Sequence, residues 1–299
     1  MDNTAVLSAW HLLADASHAA GSRVTKLQTP SGCLYLKVSE ATESVERDLD
    51  LLDYLASARL PVPRYIVTRT GQRYTVAEGK TFWLSRELPG HHFAQFHGPV
   101  GLEEAGRLAA RLGELHRVLV SAPDPQRFPA FRDSAENLLA GLLARATPFD
   151  VDRLQRLRGR VSSVAALPNQ LIHRDFHRGN VLFTGEALSG FLDFDLVHEG
   201  PRLFDVCYCA SSALSESFYE AGYAEYWVTV VRTIFRAYGL NAGLSRQERS
   251  LAWSMLMTIE LICMRGCLEK QDLDAARMNQ GMLFWIDDHR SQLEAAIAV

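Results

Sequence analysis

The sequence predicts an α+β chain of two lobes: a small five-stranded lobe with one helix over residues 1–87, and a mostly helical lobe over residues 88–299. Three observations lead there. Short apolar runs separated by turn signals crowd into residues 20–87. One clear amphipathic helix interrupts them at 42–58. After Leu88-Pro89-Gly90, helix follows helix almost to the end. Pro and Gly between two such compositions mark a hinge near 85–90.

Taken in order, residues 4–15 (TAVLSAWHLLAD) read as a short amphipathic helix with Val6, Trp10 and Leu13 on one side. Residues 23–29 and 33–38 flank Pro30-Ser31-Gly32 and read as a β-hairpin. Lys37 stands in its second strand between Leu36 and Val38. Such a lysine is either an edge residue whose stem covers the sheet or a phosphate-binding cation at the mouth of a cleft. The helix at 42–58 starts at a Thr42 or Ser44 cap, has acids in its first turns, and carries a stripe of Val45, Leu49, Leu52 and Leu55. Pro61 and Pro63 stop it. Strands follow at about 64–68, 73–77 and 81–86. In the second lobe, helices are expected at 101–120, 133–146 and 150–165, then again beyond 202, with breaks near 239–243 and Gln271.

Bulk properties narrow the function. With 47% hydrophobic and 22% charged residues the chain has a soluble, globular composition. A net charge of −4 with scattered basic residues lacks the footprint of a nucleic-acid binder. Residues 1–20 show no basic segment followed by an apolar one, so a cytoplasmic location is expected. The apolar window 251–268 is interrupted by Glu260 and Arg265 and reads as a buried core helix, with no membrane partner. Cys207 and Cys209, and Cys263 and Cys267, lack the two-residue spacer of a zinc site, so reduced thiols are expected.

The chemistry concentrates in residues 171–205, LIHRDFHRGNVLFTGEALSGFLDFDLVHEGPRLFD. Phosphoryl transfer needs a base for the acceptor hydroxyl, divalent metal on the phosphates and a cation to hold them. Asp175, a loop carboxylate, suits the first task. Asn180 and Asp193 suit the second, since Mg²⁺ takes oxygen ligands and few carboxylates. A strand at 181–184, a turn at 185–189 and a returning strand at 190–193 bring Asn180 and Asp193 to the open end of one hairpin. Turn-capping by one such residue would be unremarkable, but His173, Asp175, Asn180, Asp193 and Asp195 stand in register.

His-Arg-Asp at 173–175, Asn180 and Asp-Phe-Asp at 193–195 resemble the catalytic and metal loops of the protein-kinase-like fold. Asp-x-His at 175–177, Gly179-Asn180 and Gly200-Pro-Arg-Leu-Phe-Asp205 look like the aminoglycoside phosphotransferase and choline kinase branch of that fold. The resemblance implies an ATP- and Mg²⁺-dependent kinase with a small-molecule hydroxyl substrate, such as an aminoglycoside, an amino alcohol or homoserine. Asp175 would be the base, Asn180 and Asp193 the metal ligands, and Lys37 the contact to the α/β-phosphates. Glu87 and Leu88 would lie in the adenine-binding hinge. Asp195 and Asp205 would brace loops.

Two positions depart from the pattern. The acid expected to pair with Lys37 falls on Asp48, one methylene shorter than Glu and with Glu46 and Glu43 nearby, which leaves a longer pair or another acid as the partner, and residues 19–26 have one glycine where a glycine-rich phosphate loop is usual. Ser22 and Arg23 could contact phosphate there instead. Glu260, in an apolar helix, is a candidate for a substrate ammonium group, with Asp195 and His177 as further substrate-side candidates. Alternatives are a kinase of peptide or protein hydroxyls, and a nucleotide-binding pseudokinase acting as an interaction module. A monomer or a homodimer is compatible with the sequence.

Overall fold

The computed structural model describes residues 4–12, 16–21, 23–145 and 149–298. The chain divides into two compact units: Met1–His92 with Val181–Asp195, and Phe93–Asn180 with Leu196–Val299. The chain thus passes between units at 92–93, 180–181 and 195–196. The sequence-based partition at residue 87 is linear; by internal packing, residues 88–92 and the 181–195 hairpin group with the first unit.

The first unit begins with α1 (Thr4–Leu7) and a 3-10 turn, Ser8–Trp10. The strands β1 (Ala16–Gly21), β2 (Val24–Thr29) and β3 (Gly32–Ser39) precede α2 (Thr42–Ser57), and β4 (Thr75–Ala77) and β5 (Lys80–Arg86) follow it. They form one antiparallel five-stranded sheet in the order β1-β2-β3-β5-β4. Period-two alternation sorts the side chains. Leu34 and Leu36 of β3 and Phe82 and Leu84 of β5 pack with Leu27, Val6, Leu7 and Trp10. Trp83 packs with Val45 and Leu49 of α2.

Five strands and a helix were expected, but the strands are not the expected five. Residues 64–68 form no strand. β4 takes the 80–82 half of one edge of β5, and Tyr65 meets only Ser85 beyond it. The missing strand is β1, whose end at residues 19–21 overlaps the segment 19–26 expected to be a phosphate loop. Residues 17–20 of this edge strand are exposed, so these positions give no apolar alternation. A second hairpin, β7 (Val181–Thr184) with β8 (Ala187–Phe191), completes the unit. Reciprocal backbone bonds join His91 and Phe183, and Phe191 N–H donates to Pro61 O at 2.7 Å.

The second unit contains α3 (Gly98–Leu119), α4 (Ala135–Leu143) and α5 (Val151–Leu157). The two-stranded pair β6 (Asn169–Ile172) and β9 (His198–Pro201) follows, then α6 (Leu203–Ser217), α7 (Tyr223–Ala242), α8 (Arg246–Glu269), α9 (Leu273–Asp288) and α10 (Arg290–Ile297). The expected stripe of α3 is its buried face: Ala105, Leu108, Ala109, Leu112, Leu115 and Leu119. It crosses α7 closely at Gly113, where a Cβ would lie 2.9 Å from that of Asn241. Ser245 and Glu248 form a capping box that starts α8. By length and composition α8 could cross a membrane, yet it packs against α4, α6, α9 and α10 and is mostly buried.

Leu112 is fully buried whereas Val100 is 66% exposed. Leu112→Ala is expected to destabilise the protein by about 2–5 kcal/mol and Val100→Ala by no more than about 0.5 kcal/mol. Urea denaturation of the pair checks this.

Candidate active site

A buried carboxylate organises the loop after β6. Asp205, in the first turn of α6 and fully buried, accepts from the backbone N–H of His173 (Oδ2, 2.7 Å) and of Arg174 (Oδ1, 2.7 Å). His116 of α3 donates from Nε2 to Oδ2 at 2.9 Å. A carboxylate only accepts, so Nε2 carries the proton, and in the neutral ring Nδ1 accepts from Tyr238 Oη at 2.7 Å. Arg174 is held at φ 68°, a left-handed conformation that costs an arginine roughly 1–2 kcal/mol. Its guanidinium reaches Asp133 Oδ2 (2.9 Å) and His198.

The next residue is Asp175. Tyr208 Oη donates to its Oδ1 at 2.7 Å, and Asn180 Nδ2 donates both to its Oδ2 at 3.0 Å and to its backbone oxygen at 2.8 Å. His177 Nε2 stands 3.7 Å from Oδ2. Burial pushes the Asp175 carboxyl up, but the nearby His177 imidazole and the hydrogen bond of Tyr208 more than offset it and hold it below the ordinary value. Asp175 is therefore an ionised, oriented carboxylate. Burial first, then the charge of Asp175 and this hydrogen bond, raise the Tyr208 hydroxyl far above its usual range, so it stays a donor.

The first unit supplies a cation between two acids. Lys37 lies on β3, the central strand of the sheet and not an edge, paired across to Trp83 on the side that α2 covers. Its Nζ donates to Asp195 Oδ1 at 2.9 Å and Asp193 Oδ1 at 3.2 Å. Burial lowers this ammonium and the two carboxylates more than restore it, so its pKa lies above the ordinary value. Asp193 has φ 57°, a second left-handed non-glycine position in the motif region. The expected pairing of Lys37 with Asp48 does not form. The shorter acid is taken by Arg47 at 2.7 Å, and burial pushes its carboxyl up to about 6. Asp195, expected to brace a loop, is the acid nearest Lys37.

The remaining candidates are scattered. Ser22 lies outside the described residues. Arg23 is exposed beside it, in the turn between β1 and β2, and its carbonyl accepts from Val38 N–H. The Glu87 side chain turns back to Lys26 (2.7 Å) and Tyr35 (3.1 Å), while its N–H bonds Cys33 O; Leu88 packs near Gly190. Glu260 is fully buried on α8, so in this conformation no substrate ammonium reaches it. Its Oε1 accepts from Ser211 Oγ at 2.5 Å, and burial pushes it up to about 8.

A sequence profile of the phosphotransferase enzyme family matches residues 14–249, which include every one of these motifs. The chain belongs to that family. A homoserine kinase of Pseudomonas aeruginosa is 32% identical over 162 residues, 53% of this chain and 50% of that protein. The chain spans about half the length of the curated relatives it matches first. Among solved structures, an amicoumacin kinase in complex with AMP-PNP and Ca²⁺ superposes with a TM-score of 0.70 at 18% identity, covering 99% of this chain and 94% of that one. An aminoglycoside phosphotransferase of Alicyclobacillus acidocaldarius gives 0.66 at 15% identity, covering 97% and 96%. The resemblance and the protein-kinase-like fold expected from residues 173–205 therefore hold for nearly the whole length of this phosphotransferase-family chain.

Sequence reasoning missed Tyr208 and His116. Tyr208 sits in an apolar helix stretch, Val206-Cys-Tyr-Cys209, and His116 in the middle of α3; neither belongs to a spaced motif. The signal available was a tyrosine one turn after Asp205 on α6, which places it on the face toward the loop Asp205 holds.

Neutral Glu260 suits its buried position, and ionising it does not. Its folded pKa of about 8 lies above the unfolded value near 4.5, so it contributes stability that is full below about pH 4.5 and lost as pH rises through 8. Glu260→Gln is expected to flatten this dependence, making the variant the more stable protein at pH 8.5 relative to pH 5. Thermal denaturation across that range checks it; parallel melting curves for both proteins would count against a buried neutral acid.

Proposed function

We propose that the protein is an ATP-dependent kinase that transfers the γ-phosphate of Mg·ATP to a hydroxyl group of a small molecule. The observation that carries this reading is the Asp175 carboxylate, kept ionised and aimed by Tyr208 and Asn180 on a loop clamped from beneath by Asp205. A binding module needs no such base. Family membership and the kinase relatives support the same class of reaction.

In the proposed mechanism Asp175 accepts the proton of the acceptor hydroxyl as its oxygen bonds to the γ-phosphorus. The bond from that phosphorus to the β–γ bridging oxygen breaks, and ADP leaves with that electron pair. Lys37 exchanges its carboxylate partners for phosphate oxygens, as a mobile ammonium does. The donors around the motif are hard oxygens, and an ammonium already bridges Asp193 and Asp195, so a cation suits the acidic pair. Asp193 and the amide oxygen of Asn180 would hold Mg²⁺; when bound, the metal neutralises charge on the β- and γ-phosphates. Backbone groups at Glu87 and Leu88 would meet the adenine, and Arg23, exposed in the hairpin turn, would meet phosphate.

Acceptors named by relatives and structural neighbours are homoserine, aminopropanol and amicoumacin, all alcohols. Release of ADP from Mg·ATP over a panel of hydroxy amino acids, amino alcohols and amino sugars tests the reading. Asp175→Asn is expected to lower kcat by about 10²–10⁴-fold while nucleotide affinity stays within a few-fold. ATP binding without turnover of any acceptor, unchanged in that variant, would favour the pseudokinase alternative.

A further inference from the structure

The second unit has a cavity of about 220 Å³ between α4 and α8 whose lining is unusually basic. Arg132, Arg145 and Arg265 face it, against one carboxylate, Asp133. That carboxylate is already committed: Oδ1 to Arg265 at 3.0 Å and Oδ2 to Arg174 at 2.9 Å. Arg132 and Arg145 have no ion-pair partner among the described residues. Arg265 also approaches Glu269 Oε1 at 3.9 Å, so the surplus positive charge of the cavity rests on the exposed Arg132 and Arg145 at its rim. Leu138 and Leu142, both buried, form its apolar side, and Gly141 leaves open the space a side chain would fill.

This cavity is tied to the base by covalent and hydrogen-bonded links within one unit. Asp133, on its wall, holds the guanidinium of Arg174, the residue before Asp175. Arg265, on the opposite wall, lies on α8 five residues after Glu260; Glu260 bonds Ser211, one turn along α6 from Tyr208, which holds Asp175.

Resting on the kinase reading above, we infer that this arginine-lined cavity binds the carboxylate of the acceptor, so that the substrate is a small hydroxy acid or hydroxy amino acid and not a polycationic amino sugar. Guanidinium groups match carboxylates in geometry and charge. They repel the ammonium groups of an aminoglycoside. Size points the same way, because the cavity is smaller than the roughly 300–1,000 Å³ of pockets that enclose drug-sized ligands.

Matched pairs of acceptors that differ by the carboxylate alone provide the test: homoserine against 3-amino-1-propanol, serine against ethanolamine, threonine against 1-amino-2-propanol. With Mg·ATP, the wild-type protein is expected to favour the acid of its best pair by roughly 10- to 100-fold in kcat/KM, the range of one or two charge-assisted contacts. Arg132→Ala should shrink that ratio about tenfold, whereas a merely structural arginine would change both members equally and leave the ratio alone. Gly141→Met, which fills the cavity from a helical position with no steric conflict at its Cβ, should raise KM for the acid. Preference for the decarboxylated member, or turnover of amino sugars but of no acid, overturns the inference and leaves the kinase intact. If no hydroxyl compound releases ADP, the kinase reading fails and the acceptor role with it. Calorimetric titration with the six compounds and with inorganic phosphate then separates the two failures: a bound acid weakened by Arg132→Ala retains the carboxylate site, and no binding, or phosphate binding alone, removes it.

Discussion

The carboxylate of Asp205 is the constraint on which the rest of the second unit's chemistry depends. It has no water to solvate it, and it takes three donors instead: two successive backbone N–H groups and the His116 imidazole. A charge-assisted hydrogen bond contributes roughly 1.5–3 kcal/mol, and a buried carboxylate left short of donors costs as much again. Together these exceed the cost of holding Arg174 in a left-handed conformation. The backbone turns there because Asp205 takes both amides, and that turn sets the direction in which Asp175 leaves the loop. α3, α6 and α7 meet at this point through His116, Asp205 and Tyr238, so the packing of three helices fixes the geometry of one loop.

The charges in each unit follow the same logic at different cost. Asp175 is half-buried yet ionised, because its neighbours are donors. Glu260, fully buried, has Ser211 as its hydrogen-bond partner and is better neutral. In the first unit Lys37 stays charged on a central strand because two carboxylates face it. Of these acids, Asp193 is the one proposed to exchange the ammonium for metal, while the ammonium in turn exchanges both acids for phosphate. A site built to swap partners in this way is expected to hold opposite charges close together when no nucleotide is bound.

Much of this was legible in the sequence. The 173–205 motif, the hairpin between Asn180 and Asp193, the helix at 42–58 and the stripe of α3 rest on local spacing, and local spacing is what periodicity reports. The failures have one physical source, partners distant in sequence. Residues 17–20 of β1 are exposed on both faces, so their side chains do not mark a strand. Residues 64–68 look like a strand but find only one position on β5 to pair with. The family pattern puts the partner of Lys37 at Asp48 or another acid near it, but the acid loop from residues 193–195 reaches Lys37 and Arg47 takes Asp48. Tyr208 and His116 act at ranges of 33 and 89 residues, beyond any motif.

The clamp on the loop can be measured directly, without knowing the acceptor. Hydrogen–deuterium exchange of the amides of His173 and Arg174, in the wild type and in Asp205→Asn, reports whether one carboxylate holds both. In the wild type they should exchange as slowly as the buried cores of α3 and α6. In the variant, whose amide can present only one acceptor oxygen, exchange across 172–176 should rise by at least tenfold while the far end of α7 keeps its protection. Equal protection of both amides in the two proteins would contradict the account.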